Sequence, residues 1–198
     1  MAKIDMTALQ KLREITGLGM MDCKKALEET GGDIEKAIDL LRKKGALVAA
    51  KRSGKETTQG IVHAYIHPGS QIGVMVEINC ETDFVANTDD VKAFAHDLCL
   101  HITALKPLYL QPEDVDPKFL EHEKSILKDQ LADSGKPEKI INQIIEGKVS
   151  KFYSEICLLN QTFVKNDQFT VDQVLKELIA KTGENIKIRR FSRFEIGA

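Results

Sequence analysis

Residues 60–80 read GIVHAYIHPGSQIGVMVEINC, two apolar segments on either side of the turn-forming sequence PGSQ. The apolar side chains recur with a period close to two, which is the spacing of a β-strand, where successive side chains point to opposite faces. Pro and Gly at the junction favour a tight connection. The stretch therefore predicts an antiparallel β-hairpin, and with it a fold that contains a sheet.

The sequence after the hairpin supplies a third strand and a helix to cover the sheet. The C-terminal segment 185–197, NIKIRRFSRFEIG, alternates well enough to predict the third strand. After NCETDFVAN at 79–87, a helix is predicted to open at Thr88, because Asp89 and Asp90 suit the positive end of a helix dipole. The apolar stripe that should cover the hairpin consists of Val91, Phe94, Ala95, Leu98, Ile102 and Leu105.

The first 45 residues contain three helical segments separated by glycines, which suit the left-handed conformation at helix C-termini. The first segment has an apolar stripe at Leu9, Leu12 and Ile15. Asp33 has the side chain of an N-cap for the third segment. The predicted helix ends are Gly17, the pair Gly31 and Gly32, and Gly45. We therefore predict a compact three-helix bundle over residues 1–45.

The rest of the chain is predicted to form a linker and one further domain. Residues 46–59, ALVAAKRSGKETTQ, begin as a helical extension and continue with the small, basic and hydroxyl residues of a linker. Residues 60–198 form a single core module, with further helices predicted from Pro117 to Gly135 and, shorter, from Pro137. The predicted fold class is α+β: a helical head plus a small three-stranded antiparallel sheet packed with helices.

Composition indicates an ordinary hydrophobic core and no strong nucleic-acid signature. The chain has 198 residues, of which 42% are hydrophobic, and a formal net charge of -2. A nucleic-acid binder normally carries a basic surplus, so direct nucleic-acid binding is not expected. The start of the chain has no apolar signal core and no apolar run approaches membrane-spanning length, so we expect a cytoplasmic protein without membrane attachment.

The spacing of cysteines and histidines does not match a metal or thiol enzyme. The five histidines include no HExxH pattern, and the four cysteines include no CxxC pair. We expect reduced thiols, no metal site, no cofactor and no catalytic residues. The cysteines are Cys23, Cys80, Cys99 and Cys157.

Two places break the pattern of buried apolar and exposed polar residues, and the first is the pair Met20 and Met21. A helix whose inward face runs through Cys23, Ala26 and Leu27 continues that face at Met20 and places Met21 among charged side chains. An exposed methionine beside a glycine loop is a candidate docking point, because the side chain is flexible and polarizable. Packing of Met21 on the linker or on a neighbouring helix is the alternative, and spacing alone does not separate the two.

The second place is the pair Asp83 and Phe84, where the chain leaves a strand and has not yet entered a helix. On the simplest interpretation, Asp83 is an ordinary turn carboxylate and Phe84 folds back onto the sheet. The alternative is that Phe84 projects from the surface and meets another molecule. The pattern alone does not establish a site here.

Several long motifs occur in one order along the chain. The most specific are LREITGLGMMDCKKAL at 12–27, GGDIEKAIDLLRKKG at 31–45 and EINCETDFVAN at 77–87. Further matches are KPLYLQPEDV, SGKPEKI, QTFVKN and IRRFSRFEIG. In this combination the chain closely resembles the bacterial elongation factor Ts family, guanine-nucleotide exchange factors for elongation factor Tu. The likeness covers nearly the whole sequence.

The resemblance implies specific partner contacts. The first three helices are similar to the family's ubiquitin-associated-like head, which docks on the nucleotide-binding domain of elongation factor Tu. The residues that match its contact region are Leu12, Arg13, Met20 and Met21. The TDF triplet matches the family's intruding, magnesium-displacing loop, which comprises Thr82, Asp83, Phe84 and Val85. Asp83 would fix this loop through polar contacts, and Phe84 would act as a wedge near the partner's switch II region and magnesium site.

The same resemblance implies an activity without covalent chemistry. The chain would bind elongation factor Tu·GDP, disturb the Mg²⁺ and phosphate site, and promote GDP release during translation elongation. Longer family members carry a doubled core and an inserted coiled coil, whereas this chain has one core module. The resemblance therefore favours a homodimer, in which paired cores replace the missing half.

Two other functions remain open at this point. The first is a ubiquitin-associated-like binding module without exchange activity, which would not require the TDF loop. The second is a ribosome-associated RNA-binding factor. It could use the basic residues Lys51, Arg52, Arg189, Arg190 and Arg193.

Overall fold

The computed structural model of the chain describes residues 5–132 and 137–197, and it confirms the α+β class. The strands are β1 (Gln59–Ile66), β2 (Ile72–Cys80) and β3 (Ile186–Glu195). The α-helices are α1 (Met6–Thr16), α2 (Met20–Glu29), α3 (Ile34–Arg52), α4 (Asp83–Ala86), α5 (Asp89–Leu105), α6 (Pro117–Ala132), α7 (Glu138–Ile156) and α8 (Val171–Thr182). Single 3₁₀ turns cover Pro112–Asp114 and Leu158–Asn160.

The predicted hairpin and the third strand are both present, and the sheet has the order β1-β2-β3. The His67 N–H donates to the carbonyl oxygen of Ile72 at 2.9 Å and closes the connection between β1 and β2. Gly60 lies in close contact with β2, because a Cβ at this position would collide with the carbonyl oxygen of Ile78. Only glycine allows backbones to come this close.

Helix α5 lies against β1, as predicted. The Cys99 thiol donates to the carbonyl oxygen of His63 at 3.9 Å. The ring of His96 meets those of Tyr65 and His63 edge-on, with centroid distances of 5.5 and 5.6 Å. Five of the six predicted stripe residues are buried, and the exception is Leu105 in the last turn, which is 43% exposed. The stripe prediction therefore holds except at its end.

Helix α3 does not end at Gly45, as we predicted, but continues to Arg52. Gly45 is buried, and a Cβ there would lie 3.0 Å from the Cβ of Ala180 in α8. This glycine therefore permits close helix packing and does not terminate the helix. Residues 46–52 are rich in alanine and include leucine, lysine and arginine, which are strong helix formers. The first half of the predicted 46–59 linker is consequently helical.

The middle helices differ from the prediction in length. Helix α7 has 19 residues and is not the short helix expected after Pro137. Gly147 lies inside it with open space where a Cβ would stand, so this glycine neither ends the helix nor permits a close contact. Helix α6 begins at Pro117 as predicted, whereas its predicted end at Gly135 lies outside the described residues.

The chain divides into two compact units that do not follow the order of the sequence. The first unit consists of Met1–Ile61, Ile78–Ala93 and Gln173–Arg189. The second consists of Val62–Glu77, Phe94–Asp172 and Arg190–Ala198. Helix α8 from Gln173 onward thus belongs to the same unit as the three N-terminal helices. The division into a head at 1–45, a linker at 46–59 and a core at 60–198 stays a prediction.

The three N-terminal helices, which we call the head, enclose a hydrophobic core of their own. Asp33 caps α3 as predicted, since its carboxylate accepts from the Lys36 N–H at 3.1 Å. The predicted stripe of α1 is wrong at one position, because Ile15 in its last turn is 53% exposed. The buried residues of the head are Leu9, Leu12, Cys23, Ala26, Leu27, Ala37 and Leu41.

In the second unit a buried histidine links α5 to the segment after α7. His101 is fully buried, and its Nδ1 accepts from the Val164 N–H at 3.2 Å. Its Nε2 lies 2.9 Å from Oε1 of Gln161 and therefore donates to it. Burial lowers the pKa of His101. The imidazole is consequently neutral, and the pair belongs to the core.

Candidate functional site

The TDF segment forms a one-turn helix, α4, directly after β2. Thr82 has extended backbone angles and is the N-cap, because its hydroxyl oxygen accepts from the Val85 N–H at 3.3 Å. The Asn87 N–H and side-chain amide both donate to the carbonyl oxygen of Asp83, at 3.1 and 3.0 Å. A helix of four residues is not stable alone, because ordering the first helical turn costs more free energy than the hydrogen bonds of that one turn provide. The conformation of α4 therefore depends on its surroundings.

Helix α4 directs an aromatic ring into solvent. Ala86 is buried and Val85 half-buried, so one side of the turn faces the protein. Phe84 lies on the other side and is 83% exposed, the largest exposed fraction among the large hydrophobic residues that the structure describes. The interpretation in which Phe84 folds back onto the sheet is therefore wrong for this conformation.

Thr82 makes the polar contacts that tie α4 to a distant part of the chain, whereas we expected the side chain of Asp83 to fix the loop. The Thr82 N–H donates to one carboxylate oxygen of Glu184 at 3.0 Å, and its hydroxyl donates to the other at 2.7 Å. Asp83 itself is exposed. Hydrogen bonds to an ionised carboxylate are stronger than neutral ones, so the Glu184 contact is the main polar anchor of the loop.

Asn185 forms a second anchor next to the first. Its side chain is only 2% exposed, and its N–H donates to Oε1 of Glu81 at 2.6 Å. Its amide group donates to the carbonyl oxygens of Lys55 and Ser53, at 2.7 and 3.4 Å. The other oxygen of Glu81 is 3.4 Å from the Arg52 guanidinium. This network joins the end of α3, the end of β2 and the start of β3.

Sequence reasoning missed these polar residues. Glu184 and Asn185 lie about a hundred residues from Thr82 in the chain, so no local pattern connects them. The signal available in the sequence was Gly183, a glycine typical of a helix end, which is followed directly by Glu184 and Asn185. In the structure Gly183 has a φ of +75° and follows the last residue of α8.

Both methionines at the start of α2 are exposed. Gly19 is the N-cap, and Met20 and Met21 are 50% and 62% exposed. The prediction that Met20 continues the buried face is wrong, because that face begins only at Cys23, one turn further along. Side chains in a first helical turn lean back toward the N-terminus, beyond the part of the helix that packs. The result is a pair of flexible apolar side chains on the surface of the head.

The other two predicted contact residues differ in accessibility. Leu12 is fully buried in the head core, so its side chain has no surface to offer a partner. Arg13 is exposed, and its carbonyl oxygen accepts from the Gly17 N–H at 2.8 Å, which ends α1. Of the four residues, Arg13, Met20 and Met21 are therefore accessible, and Leu12 supports the helix that carries Arg13.

Helix α8 contacts both the head and the segment that follows α4. Arg42 in α3 pairs with Glu177 at 3.1 Å. Lys181 pairs with Asp90 at the start of α5 at 2.6 Å, and its Cε lies 2.9 Å from where a Cβ would stand on Gly17. All of these residues belong to the first unit. The exposed methionines and the exposed Phe84 are thus carried by one compact part of the molecule.

The thiols of the described chain are free and buried. Burial raises the pKa of the Cys99 thiol to about 12. Burial is also the main cause that raises the pKa of Cys80 and the pKa of Cys157 to about 11. A thiol with such a pKa is not a nucleophile near neutral pH.

Within residues 5–132 and 137–197, histidines, cysteines and carboxylates form no group of three or more that could hold a metal ion. Over the same residues, none of the helices has both the length and the apolar character needed to cross a bilayer.

Comparison with known proteins gives a consistent family. The family model described as "Elongation factor TS" matches residues 5–198. Elongation factor Ts of Desulfitobacterium hafniense is 56% identical over 197 residues, which cover 100% of this chain and 91% of that protein. The proteins of the same name from Carboxydothermus hydrogenoformans and Geotalea uraniireducens are each 55% identical, over 96% and 98% of this chain and 87% and 91% of their own lengths. The chain therefore belongs to the elongation factor Ts family, a family of translation elongation factors.

Proposed function

We propose that this chain is a guanine-nucleotide exchange factor that binds elongation factor Tu·GDP and promotes GDP release in translation elongation. The observation that carries the proposal is the exposed Phe84 at the tip of α4, within the TDF triplet that resembles the family's intruding loop. The activity requires no covalent step and no cofactor bound to this chain.

The physical basis of release lies in how a GTPase holds its nucleotide. Mg²⁺ bridges phosphate oxygens while backbone amides surround the phosphates, so displacing either group weakens binding. An aromatic ring that enters between elements of the partner can hold them in an arrangement that does not fit the ordered metal site. Burial of the Phe84 ring in the complex offsets part of the free energy of that distortion.

Thermodynamic linkage then explains how the factor leaves. If bound factor weakens GDP binding by some ratio, bound nucleotide must weaken factor binding by the same ratio. Incoming nucleotide therefore expels the factor. The chain accelerates the exchange without changing the equilibrium between free and bound nucleotide.

The head is proposed to supply affinity for the partner's nucleotide-binding domain. Met20 and Met21 provide exposed apolar surface that can adapt to a partner, and Arg13 adds an exposed charge. Leu12 contributes through the packing of the head. In this arrangement the head determines how tightly the factor binds, and α4 determines what it does to the bound GTPase.

We further propose that the active form is a homodimer. Support comes from the second unit, where Ile66, Phe194 and Ile196 are among the residues that line a shallow cavity of 460 Å³. Ile66, Phe194 and Ile196 are 63%, 72% and 71% exposed, and neighbouring exposed apolar side chains often mark a protein–protein contact. Two copies could cover these side chains by pairing their cores. Sedimentation velocity at micromolar concentration measures this directly, and a monomer would contradict it.

A cytoplasmic location follows from the proposed partner, since translation elongation takes place there. The RNA-binding alternative has less support, because basic residues it would use are paired with carboxylates. Arg190 lies 2.6 Å from Glu77, and Arg52 lies 3.4 Å from Glu81. A ubiquitin-associated-like module without exchange activity would leave the exposed ring of Phe84 without a role.

The test is the release rate of fluorescent GDP from elongation factor Tu, measured against factor concentration. We expect the natural chain to accelerate release, and Phe84→Ala to lower the rate at saturating factor by about tenfold or more, since buried aromatic anchors are commonly worth ~2 kcal/mol. Leu108→Ala is the matched control, because Leu108 is 70% exposed but lies in the second unit. It should leave the rate unchanged.

The two possible failures have different meanings. If the natural chain does not accelerate GDP release, the exchange function is wrong. If it does so and Phe84→Ala is equally fast at saturation, the exchange function stands and the wedge does not. Salt-dependent RNA binding in place of GDP release would favour the ribosome-associated alternative.

A further inference from the structure

The short helix α4 depends on a hydrogen-bonded chain that starts outside it. The Val85 N–H donates to the hydroxyl oxygen of Thr82 at 3.3 Å, and that hydroxyl donates in turn to Glu184 at 2.7 Å. The Thr82 N–H donates to the second oxygen of the same carboxylate at 3.0 Å. Bonds arranged in series strengthen one another. The Glu184 carboxylate therefore fixes both the rotamer of Thr82 and the cap that begins α4.

Glu184 is itself held at a defined place by the end of α8. The Gly183 N–H donates to the carbonyl oxygen of Ile179 at 2.8 Å, and Gly183 has a φ of +75°, which turns the chain out of the helix. The Glu184 N–H then lies 3.4 Å from the hydroxyl oxygen of Thr182. The backbone on which Glu184 stands is thus ordered independently of α4.

Each of the two chain segments supplies a carboxylate that accepts a hydrogen bond from the main chain of the other segment. Glu184 accepts from the main chain of Thr82, and Glu81 accepts from the main chain of Asn185 at 2.6 Å. We call these four residues the carboxylate clip. Asn185 is 2% exposed and its side-chain amide donates to the carbonyl oxygens of Lys55 and Ser53, so the clip has a buried, hydrogen-bonded base.

We propose that the carboxylate clip is a positioning device, which keeps α4 folded and Phe84 projecting before any partner arrives, and that Glu184 is its principal positioning residue. The proposal rests on the proposed exchange function. A segment that is already ordered does not lose conformational entropy on binding, so more of the interaction free energy is available to distort the partner. Glu81, Glu184 and Asn185 do not need to touch elongation factor Tu for this role.

A positioning role differs from a merely structural one in what it changes. A structural residue lowers the stability of the whole chain and, through it, every activity. A residue that acts through Phe84 lowers the release rate at saturating factor, and its effect disappears once Phe84 has been removed. The concentration for half-maximal rate, which the head determines, should change much less.

The first experiment measures order in α4 in the free chain by amide hydrogen exchange. In Glu184→Ala, we expect the Val85 and Ala86 amides to exchange about tenfold faster or more, because their protecting turn loses its anchor. Amides within α5 should be unchanged. The matched control is Glu177→Ala, which removes an exposed carboxylate from α8 that pairs with Arg42 and not with the clip.

The second experiment measures GDP release in a double-mutant cycle with Phe84→Ala. Glu184→Ala should lower the saturating rate by about threefold to tenfold in the natural background and have no further effect in the Phe84→Ala background. Glu184→Gln keeps the shape and one acceptor, so it should recover part of the rate. Glu177→Ala should have no effect on the rate in either background.

The outcomes separate the inference from the function on which it rests. Unchanged hydrogen exchange at Val85 and Ala86, or equal losses of rate in both backgrounds, would overturn the clip. If Glu184→Ala does not fold, as judged by circular dichroism, Glu184→Gln carries both experiments. Absence of GDP release with the natural chain refutes the exchange function alone, and hydrogen exchange then decides whether the clip orders α4.

Discussion

The head and helix α4 both present apolar side chains to solvent, but they are held in place by opposite means. The head packs seven buried residues from its own three helices around a core, and Met20 and Met21 extend from its rim. Helix α4 buries only Ala86, and besides the local hydrogen bonds of its single turn it is held by polar bonds to Glu184, which lies far away in the sequence. The head is therefore self-supporting. The conformation of α4 is set by the rest of the first unit, and substitutions in the two regions should have different signatures.

The largest effect is expected from breaking the head core. Leu12→Ala should lower the free energy of unfolding by about 2–5 kcal/mol, because it removes a fully buried side chain and leaves a cavity. Urea unfolding followed by circular dichroism measures the change. Binding to elongation factor Tu should weaken as a consequence of the disrupted head.

The neighbouring residue provides the control for that prediction. Arg13→Ala removes an exposed side chain, so stability should stay within about 0.5 kcal/mol of the natural chain while binding weakens. A Leu12→Ala variant that is as stable as Arg13→Ala would show that the head does not depend on its core. Leu12 would then again be a candidate for direct contact with elongation factor Tu.

The sequence predicted the parts of the molecule that have a local periodic pattern and little of what supports α4. The helical period of residues 1–45 and the strand period of residues 60–80 each reflect burial of nearby side chains, so local pattern was sufficient. Thr82 was singled out as part of the TDF loop, yet its partner Glu184 could not be identified, since that contact exists only after α8 has folded against the same unit.

The errors in the prediction have a common physical origin. Gly45 was read as a helix end, although it allows α3 to approach Ala180 of α8. Met20 was assigned to a buried face, although the face that packs begins one turn later at Cys23. In both cases the residue type was interpreted locally, while its role is decided by which neighbour is present in the folded chain.

A smaller effect is expected at the surface of the head, where affinity should change without a change in stability. Met20→Ala and Met21→Ala should each raise the factor concentration for half-maximal GDP release by about threefold to tenfold, through loss of apolar contact area. The saturating rate should remain that of the natural chain. Met6→Ala is the control, because Met6 is 69% exposed in α1 and was not matched to the contact region. A lower saturating rate in Met20→Ala or Met21→Ala would remove the distinction between a binding head and an acting α4.

The smallest effect tests how the head is joined to α8, and it compares two glycines inside helices. Gly147→Ala in α7 should raise the free energy of unfolding by about 0.5–1 kcal/mol, since nothing lies near the added methyl group and alanine favours the helix. Gly45→Ala gains the same helix propensity, but its methyl group would lie 3.0 Å from the Cβ of Ala180. We expect it to be less stable than Gly147→Ala by about 1 kcal/mol or more, because α3 and α8 must move apart. Urea unfolding of the two variants in parallel gives the difference. Equal stabilisation by both substitutions would mean that the head does not need its close contact with α8. The first unit would then tolerate a looser connection between the head, which carries Met20 and Met21, and the end of α8, where Glu184 positions Phe84.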